Sequence, residues 1–489
     1  MLIGRWENVL PRAVVMLPLL HFALAILQGS PSEPPLPPAQ PNVVLVLVDD
    51  LGWGESEPYG QTRIETPNLA RMAREGIRAT RFYAGSAVCA PSRCSLLTGK
   101  HTGHAIVRAN LHVPGPTPND PGGLYPLPPG TLTLARVLRQ VGYETACVGK
   151  WHLGGPYSSG HPMRQGFDVF YGYLEKGSPK SHYPAYLWRG FVKEPIPGND
   201  DGFLPGQHFI ADLLGDEAER LIRSRSDAPF FLFLNMRMPH LPLQAPEQDV
   251  RRYLGRWPEQ PYLGGNGYFP NPTPRATYAA MVTRLDAVIG RVLDLLQEEQ
   301  LLRDTLVIVT SDNGANAPVG GYDPEFFGSY GGFRGSKASP YEAGLRVPFF
   351  ALWPGRLPAG AVIDHPMAMW DLFPTLARLA GAPVPANLDG RDLWPILTNP
   401  SADHPAEERV LYWEFPDRGG WQVVQKGRWK LIRRNLASSA PWLELYDLEA
   451  DPGETRDVSL VRVGKTLELL AAMIAQHVPN EDFPLPGVD

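Results

Sequence analysis

The chain of 489 residues is 43% hydrophobic and 20% charged, a globular balance that excludes a mostly disordered polypeptide and suffices for two or three domains. A net charge of −6 without any basic run excludes a nucleic-acid groove, and three cysteines (Cys89, Cys94, Cys147) without CxxC spacing exclude a disulfide scaffold and a structural zinc site. With 49 glycines and 53 prolines, long irregular loops are expected, and a small-molecule enzyme is the class that remains.

At the N-terminus Arg5 and Arg12 precede an apolar run over residues 13–27, and Gln28-Gly29-Ser30 opens a proline-rich stretch that reaches Pro41. Positive, apolar and small polar residues in that order predict a secretory signal over 1–30 and a linker over 31–41. The apolar run is shorter than the ~20 residues of a membrane span, so stable membrane insertion is not expected, an uncleaved anchor being the alternative. Both glycan-acceptor patterns, Asn271-Pro272-Thr273 and Asn399-Pro400-Ser401, are spoiled by proline. An exported protein without acceptors points to a bacterial envelope, periplasmic or extracellular.

From Asn42 onward short apolar runs alternate with helical patterns. Residues 43–48 (VVLVLV) read as a strand buried on both faces. Residues 67–76 have helical spacing with a proline start and a glycine stop, and 131–142 repeat the pattern before a strand over 143–148. Residues 230–234 (FFLFL) are a further strand, 278–297 a long amphipathic helix, and 306–310 (LVIVT) the strand after it. This alternation predicts an α/β fold with a large, mostly parallel sheet and helices on both faces. After Pro400 the texture changes to short aromatic-rich strands over 409–415, 421–426 and 429–433, then a helix over 464–477. A catalytic domain over 42–400 and a smaller antiparallel subdomain over 401–489 are expected.

Polar groups stand directly after each strand: Asp49-Asp50, Gly149-Lys150-Trp151-His152, Pro239-His240 and Ser311-Asp312-Asn313-Gly314. Ligands of open α/β sheets bind beyond the carboxyl ends of the strands, so these groups should converge on one crevice. Three carboxylates and an amide carbonyl there need a cation, and hard oxygen ligands suit calcium or magnesium, not zinc. Lysines and histidines beside such a cation suit an anionic substrate. Each piece alone reads equally well as a turn or a helix cap. Their joint occurrence at four strand ends is what points to a site. In Cys89-Ala90-Pro91-Ser92-Arg93, continued through Cys94-Ser95-Leu96-Leu97-Thr98-Gly99-Lys100, a proline in the first turn predicts a helix with Cys89 at its N-terminus, where amides and macrodipole favour an anion.

Cys-x-Pro-Ser-Arg followed by Leu-Leu-Thr-Gly-Lys resembles the signature of the type I sulfatases. The likeness is to the branch of arylsulfatase A and N-acetylgalactosamine-6-sulfatase. It runs from Pro41 to near the C-terminus through PNVVLVLVDDLGWGE, ETPNLARMAREG, VGKWHLG, QGFDVFYGY, TSDNG, FRGSKASPYEAGLRVPF, MWDLFPT and LYDLEADPGE. The resemblance implies that a formylglycine-generating enzyme oxidises Cys89 to Cα-formylglycine, whose gem-diol attacks sulfur and later expels sulfate as the aldehyde re-forms. It also implies Asp49, Asp50, Asp312 and Asn313 as calcium ligands beside residue 89. Arg93 would hold the gem-diol, His152 would deprotonate it, Lys150 and Lys337 would clamp the sulfate, and His240 would protonate the leaving oxygen. The expected substrate is an aryl sulfate or a sulfated glycan.

The stretch 327–333 (FGSYGGF) and Ala343 depart from the family pattern near Lys337, and residues 182–199 are expected to shape the substrate pocket. Two other readings remain: a phosphate- or phosphonate-ester hydrolase of the same alkaline phosphatase superfamily, and a non-catalytic binder of sulfated glycans. The binder would be expected to have lost metal or clamp residues, and all ten positions are present here.

Overall fold

The unbroken apolar run after Pro41 becomes the central strand β1, Asn42–Asp49. The computed structural model describes residues 40–115, 122–174, 181–200, 202, 204–402 and 409–489, so the expected signal over 1–30 and most of the linker lie outside the described residues. In chain order there follow β2 (Ile77–Tyr83), a small hairpin of β3 (His112–Val113) and β4 (Gly123–Leu124), β5 (Glu144–Lys150), β6 (Val169–Tyr173), β7 (Tyr186–Arg189) and β8 (Val192–Pro195). Next come β9 (Phe230–Pro239), β10 (Thr305–Ser311), β11 (Arg346–Leu352), β12 (Ala361–Ile363) and β13 (Met367–Ala368).

Among the described residues eleven of these strands form one sheet in the order β12-β2-β11-β10-β1-β9-β5-β6-β7-β8, with β13 also on β2. Strands β10, β1, β9, β5 and β6 run parallel, while β11 and β7 are antiparallel to their neighbours. Side chains of β1 alternate between two cores, Val43, Leu45 and Leu47 on one face and Val44, Val46 and Val48 on the other. Helices Cys89–Thr98, Leu134–Gln140 and Leu372–Leu379 cover the first face; Pro67–Glu75, Ile210–Arg223 and Pro274–Glu298 cover the second.

A second, antiparallel sheet consists of β14 (Val410–Phe415), β15 (Trp421–Lys426), β16 (Trp429–Arg434) and β17 (Trp442–Asp447). Trp413, Val423 and Ile432 on one of its faces join the first core, while Tyr412, Val424 and Leu431 pack with Leu469 and Met473 of helix Val463–Ala475. Residues Pro37–Asp489 are one compact unit, so both sheets share it.

Boundaries shift for local reasons. The helix expected over 131–142 begins only at Leu134, because the Thr133 hydroxyl accepts from Arg136 N at 3.2 Å and caps it there. The long helix expected from 278 starts at Pro274, a proline in the first turn. Strand β9 continues past Leu234 to Pro239, and its buried polar residues Asn235 and Arg237 stand at the end where the expected site residues lie.

Candidate active site

Four strand ends, one helix start and one turn assemble the site. Asp49 ends β1 with Asp50 next; Lys150 ends β5 with His152 two residues on; His240 follows β9, and Asp312-Asn313 follow β10. Cys89 is the first residue of its helix, preceded by the extended Val88. Lys337 lies in the turn before the short helix Glu342–Leu345, its amide donating to Ala315 O at 2.7 Å. Two glycines permit these approaches. A Cβ on Gly149 would fall 1.9 Å from Asn235 O, and one on Gly314 1.8 Å from Ala343 O. Asp50 and His152 themselves take φ values of 69° and 68°, left-handed backbone that costs a non-glycine residue roughly 1 kcal/mol or more.

The ten residues singled out from the sequence meet here. Cys89 Sγ lies 3.5 Å from Asp49 Oδ1, and Lys150 Nζ donates to Asp49 Oδ2 at 2.5 Å. Lys337 Nζ donates to Asp50 Oδ1 at 2.5 Å, and Asn313 Nδ2 reaches the same oxygen at 2.7 Å. Arg93 donates twice to Asp312 Oδ2, at 3.1 and 2.8 Å, and through Nη1 to Lys150 O and Asn235 Oδ1 at 2.8 and 2.9 Å. His240 Nε2 stands 3.8 Å from Asp50 Oδ2, and its Nδ1 is 2.7 Å from Leu241 O, so a proton on Nδ1 would donate there. His152 Nδ1 is buried without a partner among the described residues.

Burial sets the protonation states. It pushes the Cys89 thiol up to about 12, which makes the unmodified side chain a neutral thiol at pH 7. It also holds His152 well below its ordinary value, with Lys150 and Arg93 adding to the effect, and brings His240 down to about 4. Burial opposes ionisation of Asp49 too, yet Lys150 with His240, Lys337 and Arg93 holds that carboxyl well below the usual range. Asp312 is pushed up to about 6 by burial and by Asp49.

Asp49, Asp50, Cys89 and Asp312 are all buried and each offers a ligand atom within 4.8 Å of the others. Asn313 Oδ1 beside them is buried with no hydrogen-bond partner among the described residues. Lys150, Lys337 and Arg93 already offset the charge of these carboxylates, and the orphaned amide oxygen among their hard oxygens is the donor a metal ion would use. The donor set fits a metal ion.

Three neighbours escaped the sequence reading, Asn235, Asn316 and Tyr173, while His182 opens the segment expected to shape the pocket. Asn235 anchors Arg93, and Asn316 Nδ2 approaches Asp50 Oδ2 at 3.4 Å. His182, whose Nε2 lies 2.8 Å from His240 O, and Tyr173 at the end of β6 also border the site. Asn235 stands directly after the FFLFL run, so the strand-end rule that found Asp49 and Asp312 would have found it. Of the segment 182–199, His182 stands beside His240, and the rest includes the hairpin of β7 and β8 at the sheet edge. In the departing stretch 327–333, Ser329 O accepts from Gly54 N at 3.0 Å, and Phe333 packs on Trp53 at 5.1 Å between ring centroids.

Known proteins resemble this chain over most of its length. The family model for sulfatases matches residues 41–382, and that for the C-terminal region of N-sulphoglucosamine sulphohydrolase matches residues 328–476. Arylsulfatase A of Homo sapiens is 33% identical over 482 residues, covering 88% of this chain and 86% of that protein. N-acetylgalactosamine-6-sulfatase of Rattus norvegicus is 33% identical over 499 residues, covering 96% of this chain and 85% of that one. Among solved structures, Ps i-CgsB in complex with k-i-k-neocarrahexaose is similar with a TM-score of 0.71 and 27% identity, over 90% of this chain and 92% of the other.

Proposed function

This chain belongs to the sulfatase family and hydrolyses sulfate esters, and from that premise we propose how its own residues divide the work. The observation that carries the reading is Cys89 at a buried helix start, with Arg93, Lys150 and Lys337 each paired to a carboxylate around it. Oxidised to Cα-formylglycine by a formylglycine-generating enzyme, residue 89 supplies a hydrated aldehyde as the nucleophile toward sulfur. Asp49, Asp50, Asp312 and Asn313 would hold calcium, or magnesium in its place, which supplies positive charge beside that nucleophile.

The remaining roles follow from the side chains in place. Lys150 and Lys337 bind the sulfate oxygens and offset the charge that grows on them in the transition state. Arg93, fixed by Asp312, Asn235 and the Lys150 carbonyl, holds its guanidinium against residue 89. His152 stays neutral and takes a proton at the reacting centre. His240, with Nδ1 directed at the Leu241 carbonyl, presents Nε2 to the leaving oxygen. An anionic ester bound nearby raises the proton affinity that burial lowers.

The substrate is a sulfated carbohydrate or an aryl sulfate, a reading supported by the relatives named above. Residues 42–400 carry the catalysis and 401–489 form a subdomain that braces it. The leader reading makes the enzyme an exported one, periplasmic or extracellular, and no described helix is long and apolar enough to cross a membrane. The test is release of product from matched aryl sulfate, sugar sulfate and aryl phosphate esters. Sulfate esters should turn over fastest. Faster cleavage of phosphate with no sulfate release would overturn the reading.

A further inference from the structure

Tyr173 ends strand β6 in register with Lys150 on β5. Its side chain is only 2% exposed, and its hydroxyl is buried with no hydrogen-bond partner among the described residues. Burying an unpartnered hydroxyl costs free energy that a phenylalanine in the same place would not, so its presence needs a reason outside the fold. Its ring lies 5.6 Å from the Arg237 guanidinium, and the phenol is within electrostatic reach of Asp49, Arg93 and Cys89. Those groups mark the Lys150 side of the site, whereas Lys337 and His240 stand beside Asp50. Burial pushes the phenol far up, so it remains a proton donor.

We propose that the Tyr173 hydroxyl donates a hydrogen bond to an oxygen of the bound sulfate group, a further donor of the clamp that Lys150 and Lys337 begin. The inference rests on the sulfatase reading of the site. Because the sulfate is common to every substrate and to the product, the bond is made whatever alcohol leaves.

The experiment is Tyr173→Phe, which removes the hydroxyl alone. kcat/KM should fall roughly ten- to hundred-fold, by similar factors for nitrophenyl sulfate and a sugar sulfate, as expected for a hydrogen bond to a charged group. Inorganic sulfate should raise the Tm of the wild-type protein, and that rise should shrink in Tyr173→Phe while its Tm without sulfate stays equal or rises. Unchanged kcat/KM in Tyr173→Phe beside an active wild type would overturn this inference alone. So would a fall in Tm without sulfate, since the hydroxyl would then be holding the fold. A wild-type enzyme with matured residue 89 and no sulfate-ester turnover would overturn the sulfatase reading, and this inference with it.

Discussion

Lys430 and Glu342 form an ion pair of 2.9 Å in which neither side chain is exposed. The same ammonium reaches Glu454 at 2.8 Å, and Glu342 also accepts from the Tyr83 hydroxyl at 3.0 Å. Lys430 belongs to β16 of the C-terminal sheet, whereas Glu342 opens the short helix just beyond Lys337. The pair therefore fastens the second sheet to the turn that carries Lys337. Lys430→Met takes the ammonium from two buried carboxylates, of which Glu342 keeps Arg346 at 3.4 Å while Glu454 loses its cation, and should lower stability by about 3–5 kcal/mol. Chemical denaturation reads this directly, and an unchanged midpoint would refute the latch.

The metal prediction concerns Asp312. Chelation should abolish activity, with calcium or magnesium restoring it better than zinc. Asp312→Asn removes one negative charge from the cluster and weakens the two hydrogen bonds that fix Arg93. We expect weaker metal binding and at least a tenfold loss of kcat/KM, about the smallest effect usual for groups that support a metal site. Full activity in protein that elemental analysis shows free of divalent cations would contradict the assignment.

Clamp and acid should separate by leaving group. Removing His240 should slow esters of poorly acidic alcohols, such as sugar sulfates, by about 10²–10⁴-fold while barely touching an activated nitrophenyl sulfate. Lys150→Ala should slow both by similar factors, because the sulfate it binds is common to them. Equal losses across the series for His240→Ala would remove it from the acid role and leave it binding sulfate.

The central sheet was legible because a strand buried on both faces is written as an unbroken apolar run, and the polar residues that follow it stand at the crevice. Asp49 and Asp312 follow that rule. Edge strands Tyr186–Arg189 and Val192–Pro195 face solvent in part and leave no such run. Helix Ile210–Arg223 begins after Phe209, which gives no side-chain cap, so no start signal marks it. Tyr173 reaches the site from β6, and no spacing in the chain announces that proximity. The same holds for Lys430, whose partners lie on a different sheet's flank and in a later loop.

A pH test of stability comes from His477, whose ring nitrogens stand 2.7 Å from Glu414 and 2.7 Å from Asp489. The hydrogen bond to Glu414, with the charges of both carboxylates, raises its pKa above the ordinary 6.5. A raised folded pKa means the stabilisation is full below 6.5 and is lost as pH climbs through the folded value. His477→Ala should therefore cost more Tm near about pH 6 than near about pH 9. A constant gap between wild type and variant over that range would show that the pairs contribute no charge-dependent stability.

The central claim, that a modified residue 89 is the nucleophile, is tested most directly by peptide mass spectrometry across Cys89 on preparations matured to different extents, each assayed for sulfate release. The aldehyde fraction at residue 89 should rise in proportion to specific activity, and Cys89→Ala should be folded and inactive. Full activity from protein carrying only the free thiol at Cys89 would contradict the account.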